Sequence, residues 1–103
     1  MTETNEVGTI DTALFPLGHV VATPGALRAL AGLERPNVLE ALLGRHLLGD
    51  WGDLGPEDWE ANDLDLKAGG RLLSVYQLAP DVTVWIITES DRSVTTILLP
   101  EEY

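Results

Sequence analysis

The pattern of apolar and polar positions changes character at Gly69-Gly70. Before this point, apolar residues recur at the spacing of a helix face, and the clearest stripe has positions i, i+3, i+4 and i+8. That stripe consists of Leu39, Leu42, Leu43 and Leu47. After it come three runs rich in strand-forming residues, 71–78, 82–88 and 93–99, joined by connectors of hairpin length. The chain therefore combines a helical half with a sheet-forming half.

Capping residues predict where the helices begin. Thr23 is a suitable N-cap and Pro24 suits the first helical position, so a helix is expected from here to Gly32. Pro36-Asn37 predicts a second helix that ends near Gly49, and Pro56 predicts a short third helix that runs to Asn62.

The run 82–88 is apolar on both faces, which is typical of a central strand in an antiparallel meander. A short strand is also expected at 18–22. These elements predict an α+β domain at 12–103, with two or three helices packed on a three- to four-stranded antiparallel sheet. The polar residues 1–11 are expected to be a flexible tail. An edge strand formed by 93–99 or 18–22 offers a route to a homodimer.

Composition narrows the function classes. The 103 residues include 17 acidic and 6 basic side chains, giving a net charge of −11, so direct nucleic-acid binding is not expected. There is no cysteine, and two histidines are too few for a multi-histidine metal site, so no metal or cofactor is expected. The absence of cysteine and of a signal-peptide or membrane-span pattern predicts a cytoplasmic protein with no membrane association.

The most acidic stretch, 50–65, holds seven carboxylates and no base. A solvated face is the simplest interpretation of such a run. A divalent-metal site is a second one, although the spacing is not that of a calcium loop. The third is a surface that binds a basic protein partner, with nearby tryptophans as anchors or, alternatively, as core residues. The residues assigned to this partner site are Asp50, Trp51, Asp53, Glu57, Asp58 and Trp59.

A second group of polar residues lies on elements that should be buried. His46 falls on the apolar stripe, and Asp50, one helical turn later, is placed to orient its ring for acid–base chemistry. An arginine beside hydroxyl groups on a sheet can hold a phosphate. The candidate catalytic residues are therefore His46, Arg71, Tyr76, Arg92 and Thr95. The alternatives are a hydrogen-bonded core histidine and arginines in ordinary ion pairs.

Several segments resemble a family of small bacterial proteins described as plasmid-related or, in places, as a restriction-system subunit. The resemblance covers about residues 14–103, and the run from Trp85 to Tyr103 is its most specific part. The other matching segments are Leu14–Gly18, Val21–Leu27, Arg45-His46, Gly49–Leu54, and Arg71–Ser74 with Tyr76. It implies a mobile-genetic-element context without an assigned activity. A methyltransferase role does not suit the chain, which lacks a glycine-rich cofactor loop.

The layout alone also resembles the barnase, colicin and RelE-type ribonucleases, which act without metal. That likeness implies that His46 is the acid or base, that Arg71 or Arg92 holds the phosphate, and that Thr95 or Tyr76 is a hydrogen-bond partner. Two hypotheses follow. The first is a non-catalytic interaction module that uses the acidic surface, and the alternative is a ribonuclease-like enzyme.

Overall fold

The computed structural model describes residues 13–103, so the predicted flexible segment 1–11 lies outside the described residues. Three helices and a four-stranded sheet make this an α+β domain, as predicted. The elements in chain order are β1 (His19–Ala22), α1 (Pro24–Gly32), α2 (Val38–Leu47), α3 (Pro56–Ala68), β2 (Leu72–Ala79), β3 (Val82–Thr88), β4 (Val94–Leu98) and a 3-10 turn (Pro100–Glu102).

The strands are arranged in the order β1-β4-β3-β2. β3 pairs antiparallel with β2 and β4, with Ile86 opposite Ser74 on one side and Ile97 on the other, so the predicted meander is confirmed. β1 instead pairs parallel with β4, and the prediction of a purely antiparallel sheet is wrong. The prediction of 93–99 as an edge strand is also wrong, because β4 lies between β1 and β3. A four-residue strand with no hairpin to its partner carries no local signal of its direction, which tertiary packing determines.

α1 and α2 cover one face of the sheet. Thr23 caps α1 as predicted, because its Oγ1 accepts a hydrogen bond from the Ala26 amide at 3.0 Å. α2 begins at Val38, and Asn37 at its N-cap has a left-handed backbone (φ 57°) without a side-chain capping bond. The largest buried cluster joins these helices to β2, β3 and β4, and its members are Ala26, Leu30, Leu42, Tyr76, Val84, Ile86 and Ile97.

α3 is longer than the short helix predicted at Pro56–Asn62. It continues to Ala68, and Gly69 ends it with a left-handed φ of 83°. The periodicity missed this extension because α3 has few apolar residues and no continuous apolar stripe. At 13 residues it is the longest helix of the described chain, and none of the helices there has the length and apolar character needed to cross a membrane.

Short contacts close the free edge of β2. The Val75 amide donates to the Trp51 carbonyl oxygen at 3.1 Å, and the Gln77 amide donates to Asp53 Oδ2 at 2.8 Å. The buried Asn62 of α3 also pairs with β2, because its side-chain amide donates to the Leu73 carbonyl and its oxygen accepts from the Leu73 amide. The edge of β2 is therefore occupied by residues 51–53 and by α3.

The approach of residues 51–53 to β2 requires a glycine at position 52. Gly52 has a φ of 77°, and a Cβ there would overlap the Val75 carbonyl oxygen and the Tyr76 ring. We expect Gly52→Ala to lower the free energy of unfolding by at least about 2 kcal/mol, measured by urea denaturation.

The matched control is Gly44→Ala in the middle of α2, where an added Cβ meets no atom within 4 Å. This substitution is expected to raise the free energy of unfolding by about 0.5–1 kcal/mol, because alanine is the better helix former. Equal effects of the two substitutions would contradict the close packing at Gly52.

Candidate functional site

His46 lies on α2 and its side chain is completely buried. Both ring nitrogens contact hydroxyl groups of the sheet: Nδ1 lies 2.6 Å from Ser74 Oγ on β2, and Nε2 lies 2.9 Å from Thr88 Oγ1 on β3. Ser74 and Thr88 are buried too. The apolar stripe of α2 thus brings one polar ring against the polar positions of two strands.

The hydrogen bonds continue from Thr88 to the segment before β1. Thr88 Oγ1 lies 2.7 Å from Thr95 Oγ1, and Thr95 Oγ1 donates to the Leu17 carbonyl oxygen at 2.8 Å. We call Ser74, His46, Thr88 and Thr95, with the Leu17 carbonyl, the histidine chain. It connects α2, all three strands of the meander and the residues before β1.

The carbonyl at the end of the histidine chain determines where every proton lies. A carbonyl oxygen only accepts, so the Thr95 hydroxyl proton points to Leu17 and Thr95 Oγ1 must accept from Thr88. Thr88 Oγ1 then accepts the proton on His46 Nε2. In a neutral ring Nδ1 is an acceptor, and Ser74 donates to it. Each ring nitrogen therefore has one partner when His46 is neutral and protonated on Nε2.

The surroundings keep His46 neutral. Burial, together with the positive charge of nearby Arg92, lowers the pKa of His46 to about 4. The Arg92 guanidinium donates to the carbonyl oxygens of Gly70 (2.6 Å), Glu89 (3.2 Å) and Asp65 (3.3 Å). It thereby joins the end of α3 to the β3–β4 connection.

Aromatic rings close the space around the imidazole. The ring centroids of Phe15 and Trp51 lie 5.2 Å and 5.5 Å from that of His46, both in edge-on arrangements. Phe15 is almost completely buried and Trp51 is completely buried. Because none of the four side chains of the histidine chain has exposed surface, it is a structural connection and not an open catalytic cleft.

The structure brings together only some of the five candidate catalytic residues. His46 and Thr95 belong to the histidine chain, and Arg92 is near enough for its charge to act on the ring. Tyr76 is buried and donates to the Asp50 carbonyl oxygen at 2.6 Å, and burial raises its pKa to about 12. Arg71 is exposed and pairs with Glu89, with Nε 3.2 Å from Oε1, while its Nη1 donates to the Tyr103 hydroxyl at 2.6 Å. It has no contact with the histidine chain.

Two members of the histidine chain, Ser74 and Thr88, are strand hydroxyls outside the candidate catalytic set. The signal that identifies them is their place in the two-residue strand alternation. Ser74 lies between the inward positions of Leu72 and Tyr76, and Thr88 follows the inward Ile86. Asp50 does not orient the His46 ring, because it forms an ion pair with Arg45 at 2.7 Å. That guanidinium holds the pKa of Asp50 below its usual value.

The proposed partner-binding residues separate into buried and exposed groups. Trp51 is completely buried and donates from Nε1 to Asp63 at 2.9 Å, so it is not available as a surface anchor. Trp59 is half-buried and packs against the cluster of Phe15, Trp51 and Leu72. Trp51 and Trp59 therefore pack in the core, which is the alternative to their being surface anchors. Asp53, Glu57 and Asp58 are exposed.

The exposed surface of α3 is predominantly acidic. Glu57, Asp58, Glu60 and Asp63 are exposed along it, and Leu64 among them is 62% exposed. We call the exposed residues 57, 58, 60, 61, 63 and 64 the α3 face. Within residues 13–103, no group of three or more histidine, aspartate or glutamate side chains is arranged to hold a metal ion.

No protein-family model matches the chain, and neither the curated proteins nor the solved structures contain a match. The likeness to plasmid-related proteins and the layout likeness to ribonucleases therefore stay predictions.

The buried neutral His46 makes stability depend on pH. Below about pH 6.5 the unfolded chain binds a proton at this histidine, whereas the folded chain does so only near its pKa of about 4. The unfolded state holds more protons in this window, so the free energy of unfolding falls as pH falls. We expect a loss of about 1.4 kcal/mol per pH unit, measured by urea denaturation between about pH 6.5 and about pH 4.

The control is a pair of histidine variants. His46→Gln should remove this slope, whereas His19→Gln, which alters the exposed histidine of β1, should retain it. A slope that survives in His46→Gln would show that other groups cause the pH dependence.

Thr88 is the middle of the histidine chain, and its removal tests the proton assignment. Thr88→Val leaves the His46 Nε2 proton without its acceptor inside the core. We expect this to lower the free energy of unfolding by about 1–3 kcal/mol. Thr83→Val, on the other face of the same strand and half-buried, should change it by less than about 0.5 kcal/mol. A Thr88→Val protein as stable as the parent would contradict the assignment.

Proposed function

We propose that this protein is a non-catalytic interaction module whose α3 face binds a basic protein partner. The observation that carries the proposal is an exposed helix surface on which several carboxylates surround an exposed leucine. The proposal includes the cytoplasmic location expected from composition. A mobile-element context would follow from the family resemblance and does not depend on the fold.

No salt bridge among the described residues engages the carboxylates of the α3 face, although Asp63 accepts a hydrogen bond from Trp51. In the described part of the chain, the salt bridges are Arg45–Asp50 and Arg71–Glu89, and neither involves α3. Glu57 and Asp58 lie in the first turn, where they also stabilise the helix dipole, but Glu60 lies beyond it. Lys67, in the last turn, is the basic residue of the helix. Like charges on adjacent turns repel one another, and a basic partner would relieve that repulsion.

The helix that carries this face is held firmly. Asn62 binds the backbone of β2, Asp63 accepts from Trp51, and Arg92 donates to the carbonyl of Asp65. A surface on a rigid element loses little conformational entropy on binding. Leu64 adds an apolar contact among the charges, and an apolar centre with a charged rim is typical of protein interfaces.

The geometry does not favour the ribonuclease alternative. Cleavage of RNA would require the acid or base and the phosphate-binding arginine to meet in one accessible cleft. His46 is enclosed, and the exposed Arg71 is paired with Glu89 and Tyr103 elsewhere. Arg92, the other candidate, donates its guanidinium hydrogens to three backbone carbonyl oxygens.

The test removes the negative charge of the α3 face. We expect the triple variant Glu57→Gln, Asp58→Asn, Glu60→Gln to lose most of the partner that the parent protein captures from its host. The physical reason is the loss of attraction to basic groups, so capture by the parent should also weaken as salt is raised. Capture is measured by quantitative affinity purification of the tagged full chain.

The matched control neutralises three exposed carboxylates elsewhere, by Glu34→Gln, Glu40→Gln and Glu101→Gln. Both triple variants have the same net charge, so a difference in capture between them shows that the location of the charge matters.

The apolar contact is tested by Leu64→Ala, with Leu48→Ala, a change at another exposed leucine, as its control. Equal capture by the two triple variants, or no capture by the parent, would refute the proposal.

A further inference from the structure

The sheet has a second face that carries no carboxylate. Even-numbered residues of β2 and β3 and odd-numbered residues of β4 face the helices, where Ser74, Ile86 and Thr95 are buried. We call the opposite side the outer sheet face. On this side, β2 and β3 contribute the odd-numbered residues within 73–77 and 83–87, and β4 contributes the even-numbered residues within 94–98. β1 contributes His19 and Val21. The chain has 17 acidic residues, and none occupies any of these positions.

The outer sheet face is far more apolar than a solvated sheet face should be. A sheet with one face in water usually alternates apolar and polar residues along each strand. β3 instead places Trp85 and Ile87 outward, β2 places Leu73 and Val75 there, and β1 leaves Val21 47% exposed. The helices of residues 24–68 pack on the opposite face or beside β2. On the outer sheet face Ile87 and Leu98 are buried, whereas Leu73, Val75 and Trp85 are half-buried and keep part of their apolar surface accessible.

Aromatic residues form a groove on this face. Tyr103, 67% exposed, lies against Trp85 with 5.6 Å between the ring centroids. Arg71 lies over the Tyr103 ring at 5.4 Å. Together with Leu73 and Ile87, these residues line a groove of about 300 Å³. Large aromatic side chains beside an apolar groove are typical anchors of a protein interface.

We propose that the outer sheet face is the interface of a symmetric homodimer in solution. The charge distribution identifies the second copy as the occupant. Two chains of net charge −11 repel each other, and they can meet closely only where neither presents carboxylates. A basic partner would be drawn instead to the acidic α3 face. A second copy presents an identical uncharged apolar face, as a two-fold interface requires.

The rim of the face is also self-complementary. Arg71 and Glu89 form an exposed ion pair beside the groove. Across a two-fold axis, Arg71 of each copy can pair with Glu89 of the other copy without leaving either charge unmatched. Such reciprocal pairing fixes orientation more than it adds affinity.

The dimensions of the face predict a weak dimer. Four strands at about 4.8 Å spacing and the seven residues of β3 cover roughly 19 by 23 Å. This is about 440 Å² in projection on each copy, which is smaller than a standard interface. We therefore expect a dissociation constant in the micromolar range.

Sedimentation of the full chain from about 1 µM to about 1 mM tests the proposal. We expect the mass to rise from 11.2 kDa to twice that value with concentration. Val21→Glu places a carboxylate on the outer sheet face and should raise the dissociation constant at least about tenfold. Thr96→Glu, opposite Val21 in the register, should do the same. Circular dichroism confirms that each variant is folded.

The matched control is Val20→Glu, the same change at the neighbouring residue of β1. Val20 is 44% exposed but faces the helix side of the sheet, so this variant should dimerise like the parent. A parent that stays monomeric throughout the concentration range refutes the proposal, including the case in which residues 1–12 of the same chain cover the face. Equal weakening by Val20→Glu and Val21→Glu refutes it as well.

Salt distinguishes this proposal from the proposed function. Dimerisation through the outer sheet face should strengthen with salt, because screening reduces the repulsion between two acidic chains. Partner binding by the α3 face should weaken with salt for the opposite reason. The experiments can therefore refute the dimer without refuting the interaction module, and they can refute the interaction module without refuting the dimer.

Discussion

The hydrogen bonds of one buried imidazole connect most of this small fold. His46 reaches from α2 to β2 and β3, and through Thr88 and Thr95 the connection arrives at Leu17. A buried polar group without a partner costs about 1–3 kcal/mol, so each link must be satisfied for the fold to be stable. The neutral ring satisfies all of them at once. These bonds are all formed in only one position of α2 against the sheet, and the same bonds hold the segment before β1 in place.

Predicting this arrangement from the sequence succeeds where local periodicity carries the information. The stripe of α2, the caps of α1 and the three strands of the meander follow from the spacing of apolar residues and from turn-forming connectors. The parallel pairing of β1 does not, because four residues without a hairpin leave both partner and direction to tertiary contacts. α3 extends beyond its predicted end because its length is set by helix-forming residues and by Gly69, which ends the helix. An apolar stripe, on which the prediction depended, does not mark this part of the chain.

The candidate site shows the same division. Its place on the apolar stripe identifies His46 as a candidate, but the sequence does not reveal that its partners are hydroxyl groups of the sheet and not Asp50. Trp51 resembles an exposed anchor in an acidic segment, yet the turn at Gly52 directs it into the core beside Phe15. Both errors have one cause. Contacts between residues distant in sequence decide burial, whereas periodicity reports only which residues share a face.

The two edges of the sheet differ, and the difference limits how copies of the protein can polymerise. The outward amides of β2 are occupied by Asn62, the Trp51 carbonyl and Asp53. At β1, the backbone groups of Val20 and Ala22 point away from β4 and have no partner among residues 13–103. A fibre built by strand addition needs two available edges on every molecule. A molecule with one such edge ends growth by strand addition after a single pairing, so edge pairing alone joins no more than two sheets.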